Sequence, residues 1–361
     1  MSDKPRIGIS CGDLNGVGME LVLRILSDPR ILHSMTPIVY APQRAVGLYR
    51  RILGIQDWNL LTIETPQQAP ARKACLINLS AEELEIVPGQ PDPQLARFTR
   101  LSLERAVADL KSGALDALVT APINKAGIQG DGFQVPGHTE FLQREFPAGN
   151  AMMILLGDHM KVATVTGHIA LKEVPTALTQ ARVSESIRRF ARILTQDFAI
   201  TRPKIAVLSL NPHAGDAGLL GDEEQKVIIP AIEAVQSEGI LAWGPYGADG
   251  FFGTARYAHF DGVLGMYHDQ VLTPFKALCF DSGVNFTAGL PVVRTSPDHG
   301  TAYELAGQKK ADPASFRSAL YAAVDILRTR REQLALEAGA LKPSTVLVAF
   351  ILFFPYLCGL T

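Results

Sequence analysis

KVATVTGHIALKEVPTALTQARVSESIRRFARILTQDFAITRPKIAVLSLNPH, residues 161–213, indicates the fold class more clearly than any other segment. It opens with an apolar run typical of a β-strand (161–167) and continues into SESIRRFARILTQDF (184–198), whose apolar residues recur at helical spacing. A second strand-like run, KIAVLSL, follows at 204–210. Two strands joined through a helix are typical of an α/β chain with a largely parallel or mixed sheet.

The same alternation continues on both sides of this segment. Long helical patterns lie at 94–113 and 313–339, and Gly113 suits the C-cap of the first. Gly/Pro-rich stretches at 127–137 and 281–300 are candidate hinges between two lobes, with a cleft near the polar motifs. Further strand-like runs lie at 6–10, 37–41, 73–79, 114–120, 151–157 and 261–267.

Composition limits the class of protein. With 361 residues, of which 47% are hydrophobic and 19% charged, the chain has material for two globular domains of roughly 100–200 residues each. A net charge of −2 leaves no global basic field for nucleic acid or anionic lipid, so local Lys and Arg side chains would have to hold small anions. Widely spaced cysteines and a charged N-terminus unlike a signal peptide favour a reducing cytoplasm.

The C-terminal segment 344–361 carries no charge. A membrane-spanning helix needs about 20 apolar residues, and Pro355 interrupts this segment. Three interpretations stay open: a tail anchor, a strand or helix packed on the body or on a partner subunit, and a non-native end.

Three histidines each stand just past an apolar run: His168 after KVATVTG, His213 after KIAVLSLNP and His268 after DGVLGMY. Strand ends are where α/β sheets build their sites. If these ends converge, they form a three-imidazole site with open positions, which is typical of a catalytic metal. The alternative for each is a hydrogen-bonded histidine that binds no metal. Asp216 and Asp269 lie close in sequence, as carboxylates that orient a ligand imidazole do.

Two glycine-led motifs differ in what they indicate. In GHTEF (137–141), His138 and Thr139 open a short helix, where backbone N–H groups and a hydroxyl are available to an anion. A plain N-cap is the alternative. GDLNGVG (12–18) matches neither the dinucleotide-binding fingerprint nor the P-loop pattern, which excludes both of those folds.

A third region combines cations with a polar loop. Lys276, Asn285 and Arg294 stand nine residues apart, and Lys and Arg side chains both suit phosphate. Three ordinary surface residues are the alternative. RTSPDHGT, which begins at Arg294, is expected as a polar loop leading into a helix at Ala302, with Asp298 as a cap or a nucleotide contact.

Six motifs resemble those of the 4-hydroxythreonine-4-phosphate dehydrogenase family of vitamin B6 biosynthesis: GHTEF, TGHIAL, LNPHAGD, MYHDQ, GVNFTAGLP and RTSPDHGTAYELAG. The resemblance implies two α/β/α lobes around a cleft, similar to the isocitrate and isopropylmalate dehydrogenases, in a homodimer with the active site at the subunit interface. The first lobe would comprise residues 1–135 and 290–338 and the second 136–289, with an apolar tail at 339–361.

The resemblance also implies roles for individual residues. The metal ligands would be His168, His213 and His268, with one ligand supplied by the neighbouring subunit. Substrate contacts fall on His138, Thr139, Lys276, Asn285 and Arg294, cofactor contacts on Gly289, Leu290, Thr295 and Asp298, and Asp249 matches an aspartate near the substrate. The general base stays open between Asp249, Asp269 and a metal-bound water.

The reaction implied by the resemblance is oxidation of 4-phosphooxy-L-threonine at C3 by NAD, or alternatively NADP, followed by decarboxylation to 3-amino-2-oxopropyl phosphate. Three imidazoles favour Zn²⁺, with Mg²⁺ and Co²⁺ as alternatives, and such an ion acts as a Lewis acid. Three other functions stay open: a paralogue that oxidises threonate or erythronate 4-phosphate, a non-catalytic binder of phosphorylated ligands, and a metal-dependent hydrolase.

Overall fold

The structure is a computed structural model that describes residues 4–128 and 137–339. The uncharged segment 344–361 lies outside this part, as does most of the stretch 127–137 that was expected as a hinge. The strands are β1 (Arg6–Ser10), β2 (Thr36–Ala41), β3 (Leu61–Ile63), β4 (Cys75–Asn78), β5 (Ala117–Thr120), β6 (Met152–Leu156), β7 (Lys161–Thr164), β8 (Ile205–Leu208), β9 (Ala242–Tyr246), β10 (Gly262–Gly265), β11 (Val284–Ala288) and β12 (Val293–Pro297).

Helices connect most of these strands, which confirms the α/β prediction. The helices are α1 (Gly18–Leu26), α2 (Gln43–Leu53), α3 (Ala96–Lys111), α4 (Lys125–Ile128), α5 (His138–Glu145), α6 (Val174–Ala177), α7 (Gln180–Phe198), α8 (Ile229–Ser237), α9 (Ala248–Gly253), α10 (His268–Cys279) and α11 (Ala314–Gly339).

The twelve strands form one sheet in the order β3-β4-β2-β1-β5-β12-β11-β6-β7-β10-β8-β9. The first six pair in parallel with one another, and so do β7, β10, β8 and β9. Antiparallel pairing is confined to the centre, at β12–β11, β11–β6 and β6–β7. The strands up to β12 in this order all come from residues before 136 or after 289, the boundaries expected for the first lobe.

Both faces of the sheet are covered. All six residues of β2 are buried, and they alternate between two apolar clusters: Val39 packs in the cluster that includes α1 and α11, and Ile38 in the cluster that includes α3. In β10, Leu264 and Val263 divide in the same way between the clusters of α7 and α10. Because successive strand residues point to opposite faces, this pattern gives three layers, helix–sheet–helix.

The end of α3 follows from Gly113. The helix stops at Lys111, and Gly113 takes a φ of +75°, a backbone conformation that a residue without a Cβ adopts at little cost. The Gly113 N–H then donates to the Leu110 carbonyl at 3.2 Å and the Ala114 N–H to the Asp109 carbonyl at 3.0 Å. This pair of bonds satisfies the last carbonyls of the helix, as the predicted C-cap requires.

One local expectation is wrong. The segment expected as a polar loop begins as a strand, β12, and no helix starts at Ala302, where the φ is +42°. The next helix, α11, begins at Ala314. The error has a physical cause: β12 lies between β5 and β11 inside the sheet, so its backbone is paired although its side chains are polar.

Within 4–128 and 137–339, none of the helices has both the length and the apolar character needed to cross a membrane.

Candidate active site

Two of the three strand-end histidines meet. Strands β7, β10 and β8 are parallel neighbours, so His168, His268 and His213 all follow strands that end at the same edge of the sheet. The rings of His168 and His268 lie 5.5 Å apart between centroids and line a common cleft. His213 does not line it. Among the described residues, no group of three His, Cys, Asp or Glu side chains is placed to hold a metal.

The position of His213 reflects the backbone that follows β8. Residues 213–217 all have φ between +43° and +79°, so the chain makes a left-handed turn immediately after Pro212. The carboxylate of Glu224 fixes the start of this turn, because it accepts hydrogen bonds from the Leu210 and Asn211 N–H groups at 2.8 Å each. The position of His213 just after a strand therefore predicts the correct edge of the sheet, but it does not predict that the residue lies outside the cleft.

Each of the two adjacent histidines has a carboxylate near its Nδ1 atom. The Nδ1 atom of His268 is 2.6 Å from Oδ1 of Asp269, and that of His168 is 3.8 Å from Oε1 of Glu140. The contact with His168 is also the main cause that lowers the pKa of Glu140. A carboxylate at one ring nitrogen selects the tautomer that leaves the other nitrogen available.

Of the two predicted catalytic carboxylates, Asp249 lies outside the cleft and Asp269 lies beside it. Asp249 lies in the first turn of α9 at an exposed position and does not line the cleft. Asp269 is beside the cleft, but its side chain is 81% exposed and bonded to His268, so its observed contact is with an imidazole.

The cleft has a volume of about 310 Å³ and brings together all five predicted substrate residues. They come from four elements: His138 and Thr139 from α5, Lys276 from α10, Asn285 from β11 and Arg294 from β12. The cleft also holds residues to which the sequence assigned no role: Thr120, Lys125, Glu140, Ser296 and His299.

Arg294 is the most unusual of these side chains. It is 2% exposed, and burial lowers the pKa of its guanidinium to about 9. Its hydrogen bonds go to two hydroxyls: Nε and Nη2 donate to Thr120 Oγ1 at 3.1 and 2.5 Å, and Nη1 donates to Thr287 Oγ1 at 3.1 Å. A buried cation without a paired carboxylate is costly, so this arrangement suits a site that receives an anion.

Three further polar atoms in the cleft are buried without a hydrogen-bond partner: His138 Nε2, Asn285 Oδ1 and His299 Nε2. Such atoms are rare in folded proteins and indicate a ligand or water position. Burial, reinforced by Arg294 and Lys125, holds the pKa of His138 well below its ordinary value, so its imidazole is neutral. The site is therefore lined with unused polar groups around a positive charge.

Lys276 is held by the loop that follows β12. Its ammonium lies 3.6 Å from the carboxylate of Asp298 and 3.5 Å from the Asp298 carbonyl oxygen. Burial raises the pKa of Asp298, and Lys276 opposes that shift. Asp298 is thus in the cleft as a partner of a substrate residue.

The other predicted cofactor residues are not in the cleft. Gly289 and Leu290 form the turn between β11 and β12 and line a separate cavity of about 420 Å³ with residues of α7 and α11. Thr295 is buried, and its hydroxyl donates to the Ala319 carbonyl of α11 at 2.7 Å.

The glycine-rich segment after β1 packs against the loop that follows His299. The Val17 N–H donates to the Thr301 carbonyl at 2.9 Å, and the Tyr303 hydroxyl donates to Asp13 at 2.6 Å. A Cβ on Gly16 would lie 3.0 Å from the Thr301 carbonyl oxygen, so close approach explains this glycine.

Some of the cleft residues without a predicted role could have been identified from the sequence. Thr120 ends a strand-like run, as His168 does, and Glu140 and His299 lie inside motifs that were already singled out. Lys125 had no such signal, because its place in the cleft depends on how the chain turns after β5.

Comparison with known proteins gives a consistent result. The sequence profile of the family described as "Pyridoxal phosphate biosynthetic protein PdxA" matches residues 33–323. A 4-hydroxythreonine-4-phosphate dehydrogenase from Bacteroides thetaiotaomicron is 47% identical over 341 residues, which cover 94% of this chain and 93% of that protein.

Solved structures agree with the fold. The crystal structure of a 4-hydroxythreonine-4-phosphate dehydrogenase from Burkholderia phymatum is 34% identical, covers 90% of this chain and 99% of its own, and has a TM-score of 0.73. The corresponding structure from Klebsiella pneumoniae is 33% identical, covers 90% and 98%, and has a TM-score of 0.74.

Proposed function

The chain belongs to the PdxA family of pyridoxal phosphate biosynthetic proteins, and we propose that its cleft is the active site of a 4-hydroxythreonine-4-phosphate dehydrogenase. The reaction is oxidation of 4-phosphooxy-L-threonine at C3, followed by decarboxylation to 3-amino-2-oxopropyl phosphate. NAD is the expected oxidant, with NADP as the alternative, and it supplies the hydride acceptor.

The observation that carries this proposal is the buried guanidinium of Arg294, which forms no ion pair with a carboxylate among the described residues. A phosphate is a strong acceptor for a guanidinium, and its charge compensates the cation that burial otherwise makes costly. Lys276 and Lys125 line the same cleft and add positive charge. The orphaned polar atoms of His138 and Asn285 are further positions for substrate oxygen and N–H groups.

The amino group of the substrate has a partner as well. Glu140 places a carboxylate in the same cleft, on the side of His168. A carboxylate suits the ammonium group of an amino acid and has no equivalent partner in a sugar acid, which favours 4-phosphooxy-L-threonine over threonate or erythronate 4-phosphate.

A divalent metal fits the pair His168 and His268. Their rings lie 5.5 Å apart, and each Nδ1 faces a carboxylate, which leaves each Nε2 available as a ligand. When bound, the ion supplies Lewis-acid assistance to the oxidation. Imidazole ligands favour Zn²⁺, with Mg²⁺ and Co²⁺ as alternatives.

The third imidazole is proposed to come from a second copy of the chain. His213 follows a strand at the same edge of the sheet but does not line the cleft of its own subunit. A homodimer with a shared active site is therefore part of the proposal. Asp249, outside the single-chain cleft, remains a candidate base only in such an assembly, whereas Asp269 orients His268.

The remaining assignments are also proposals. Gly289, Leu290, Thr295 and Asp298 stay the proposed cofactor contacts, and Asp298 is the one of these four that lines the cleft. A lobe boundary at residue 289 is supported by the change of strand direction between β11 and β12. A cytoplasmic location agrees with the metabolic role.

A substrate panel tests the proposal. The purified protein, supplied with Zn²⁺ and either NAD or NADP, is assayed for reduced cofactor with 4-phosphooxy-L-threonine, threonate 4-phosphate and erythronate 4-phosphate. We expect reduction with the first and little with the others. Preference for a sugar acid would indicate the paralogue. Phosphate release without a cofactor would indicate a hydrolase, and binding without turnover a non-catalytic protein.

A further inference from the structure

The Arg294 side chain is held from both sides by hydroxyls of the neighbouring strands. Thr287 on β11 stands directly opposite Arg294 in the antiparallel pair, so both side chains point to the same face. On the other side, β5 pairs with β12 in parallel and places Thr120 one residue beyond the last paired position, Val119. Both threonines are fully buried.

These contacts leave part of the guanidinium available to a ligand, and the Glu140 carboxylate acts on its charge without forming an ion pair. A guanidinium has five N–H donors, and three hydrogen bonds to the two threonine oxygens are observed. In the described part of the chain, no carboxylate forms an ion pair with Arg294. Hydroxyl oxygens stabilise the guanidinium by accepting hydrogen bonds from its N–H groups, but they do not cancel its charge, as an aspartate at the same place would.

The Thr287 hydroxyl also reaches a second substrate residue. Its oxygen lies 3.4 Å from the hydroxyl oxygen of Thr139. Arg294 can only donate, so Thr287 Oγ1 is an acceptor there, and its own proton is free to point to Thr139. Thr139 then accepts from Thr287 and can direct its own proton into the cleft. A chain of hydrogen bonds in one direction strengthens each member.

We propose that Thr120 and Thr287 are positioning residues that hold Arg294 in place without neutralising it, and that Thr287 also orients the Thr139 hydroxyl as a donor to the substrate phosphate. This inference rests on the proposed function for the identity of the substrate. It does not rest on it for the chemistry, because any phosphate monoester or inorganic phosphate meets the same groups.

Substitutions at Thr287 separate this role from simple packing. Thr287→Asn keeps a neutral acceptor, whereas Thr287→Asp, of similar shape, adds a negative charge beside Arg294. The probe is inorganic phosphate, titrated calorimetrically into the full-length, zinc-loaded protein. We expect Thr287→Asn to keep its affinity close to wild type, and Thr287→Asp to weaken binding by roughly 100-fold or more. Equal affinities for the two variants would overturn the proposal.

Removal of the hydroxyl gives a second readout. Thr287→Val is expected to raise the Kd for phosphate and the KM for 4-phosphooxy-L-threonine by roughly 10- to 100-fold, with a smaller change in kcat, and Thr287→Ser is expected to restore both. A loss confined to kcat, or no rescue by serine, would contradict a positioning role. The pair Thr120→Asn and Thr120→Asp repeats the charge test if Thr287→Asp does not fold.

The two proposals fail in different ways. The wild-type protein could fail to oxidise 4-phosphooxy-L-threonine while Thr287→Asn still binds phosphate more tightly than Thr287→Asp. In that case the proposed function is wrong and the positioning role stands. If oxidation proceeds and the two variants bind phosphate equally, only the positioning role is wrong.

Discussion

Arg330 on α11 and the buried carboxylate of Asp197 on α7 form an ion pair: Arg330 Nε lies 2.5 Å from Asp197 Oδ1, and Nη2 lies 3.1 Å from Oδ2. The same guanidinium donates from Nη1 to the Leu290 carbonyl at 3.2 Å. Leu290 lies in the turn between β11 and β12, the strands that carry Asn285 and Arg294. The Arg330 side chain therefore joins α7, α11 and the turn between β11 and β12.

Removal of Arg330 is expected to be costly. Asp197 is only 3% exposed, so Arg330→Met leaves a buried carboxylate without its cation and is expected to lower the free energy of unfolding by about 3–5 kcal/mol. Urea denaturation followed by circular dichroism measures the change. The double variant Arg330→Met/Asp197→Leu serves as the control, because it removes the unpaired charge and is expected to recover much of the loss.

Arg294 predicts an alkaline limit for substrate binding. Burial lowers the pKa of its guanidinium to about 9. The group is cationic below that pH and neutral above it, so affinity for the phosphate is retained below pH 9 and lost as the pH rises through it. A plot of the logarithm of kcat/KM against pH is therefore expected to show a descending alkaline limb above about pH 9. In Arg294→Gln this limb should disappear, and its persistence would assign the limb to another group.

How much of this could be read from the sequence depends on the kind of element. The strand before His168 and the helix after it were predictable, because their apolar residues follow one period without interruption. Strands β11 and β12 were not expected, although they lie at the centre of the sheet. Alternate positions in them carry polar residues that line the cleft, Asn285 in β11 and Arg294 and Ser296 in β12. These polar residues interrupt the apolar pattern by which a buried strand is recognised in a sequence.

The site shows a similar division. The five substrate residues were identified through motifs and family resemblance, and the structure gathers them in one cleft. The role of Thr287 could not be predicted, because a threonine in a strand is ordinary until its cross-strand partner is known to be Arg294. The direction of His213 depends on a left-handed turn fixed by Glu224, a contact that spacing does not reveal.

His138 predicts a loss of stability in acid. Burial, with Arg294 and Lys125 nearby, holds its pKa well below 6.5 in the folded state, whereas an unfolded histidine titrates at about 6.5. As the pH falls below 6.5, the unfolded chain gains a proton that the folded chain does not accept. The free energy of unfolding is therefore expected to decrease by up to about 1.4 kcal/mol per pH unit in that window.

The measurement for His138 is urea denaturation at a series of pH values. His138→Gln should lose this part of the slope, since the variant has no imidazole to protonate at that site. His259→Gln, at an exposed position away from the cleft, is the matched control and should keep it. An unchanged slope in His138→Gln would mean that other groups cause the acid sensitivity.

Metal removal is expected to abolish oxidation. Chelation followed by dialysis should remove both zinc and activity, and added Zn²⁺ should restore them. His168→Ala and His268→Ala should purify with little zinc, because each variant loses one of two imidazoles whose ring centroids lie 5.5 Å apart in the cleft. His259→Ala is the control and should retain wild-type zinc, as measured by elemental analysis. Full zinc content in His168→Ala would contradict the ligand assignment.

The shared site makes a sharper prediction for His213. If this imidazole completes the site of the partner, a mixture of His213→Ala and His168→Ala chains forms mixed dimers in which one site has all three ligands and the other has only one. Each variant alone should be inactive, yet the reassociated mixture should recover roughly a quarter of wild-type activity, because half of randomly paired dimers are mixed. If all three histidines instead act within one chain, every site in the mixture lacks a ligand and no activity returns.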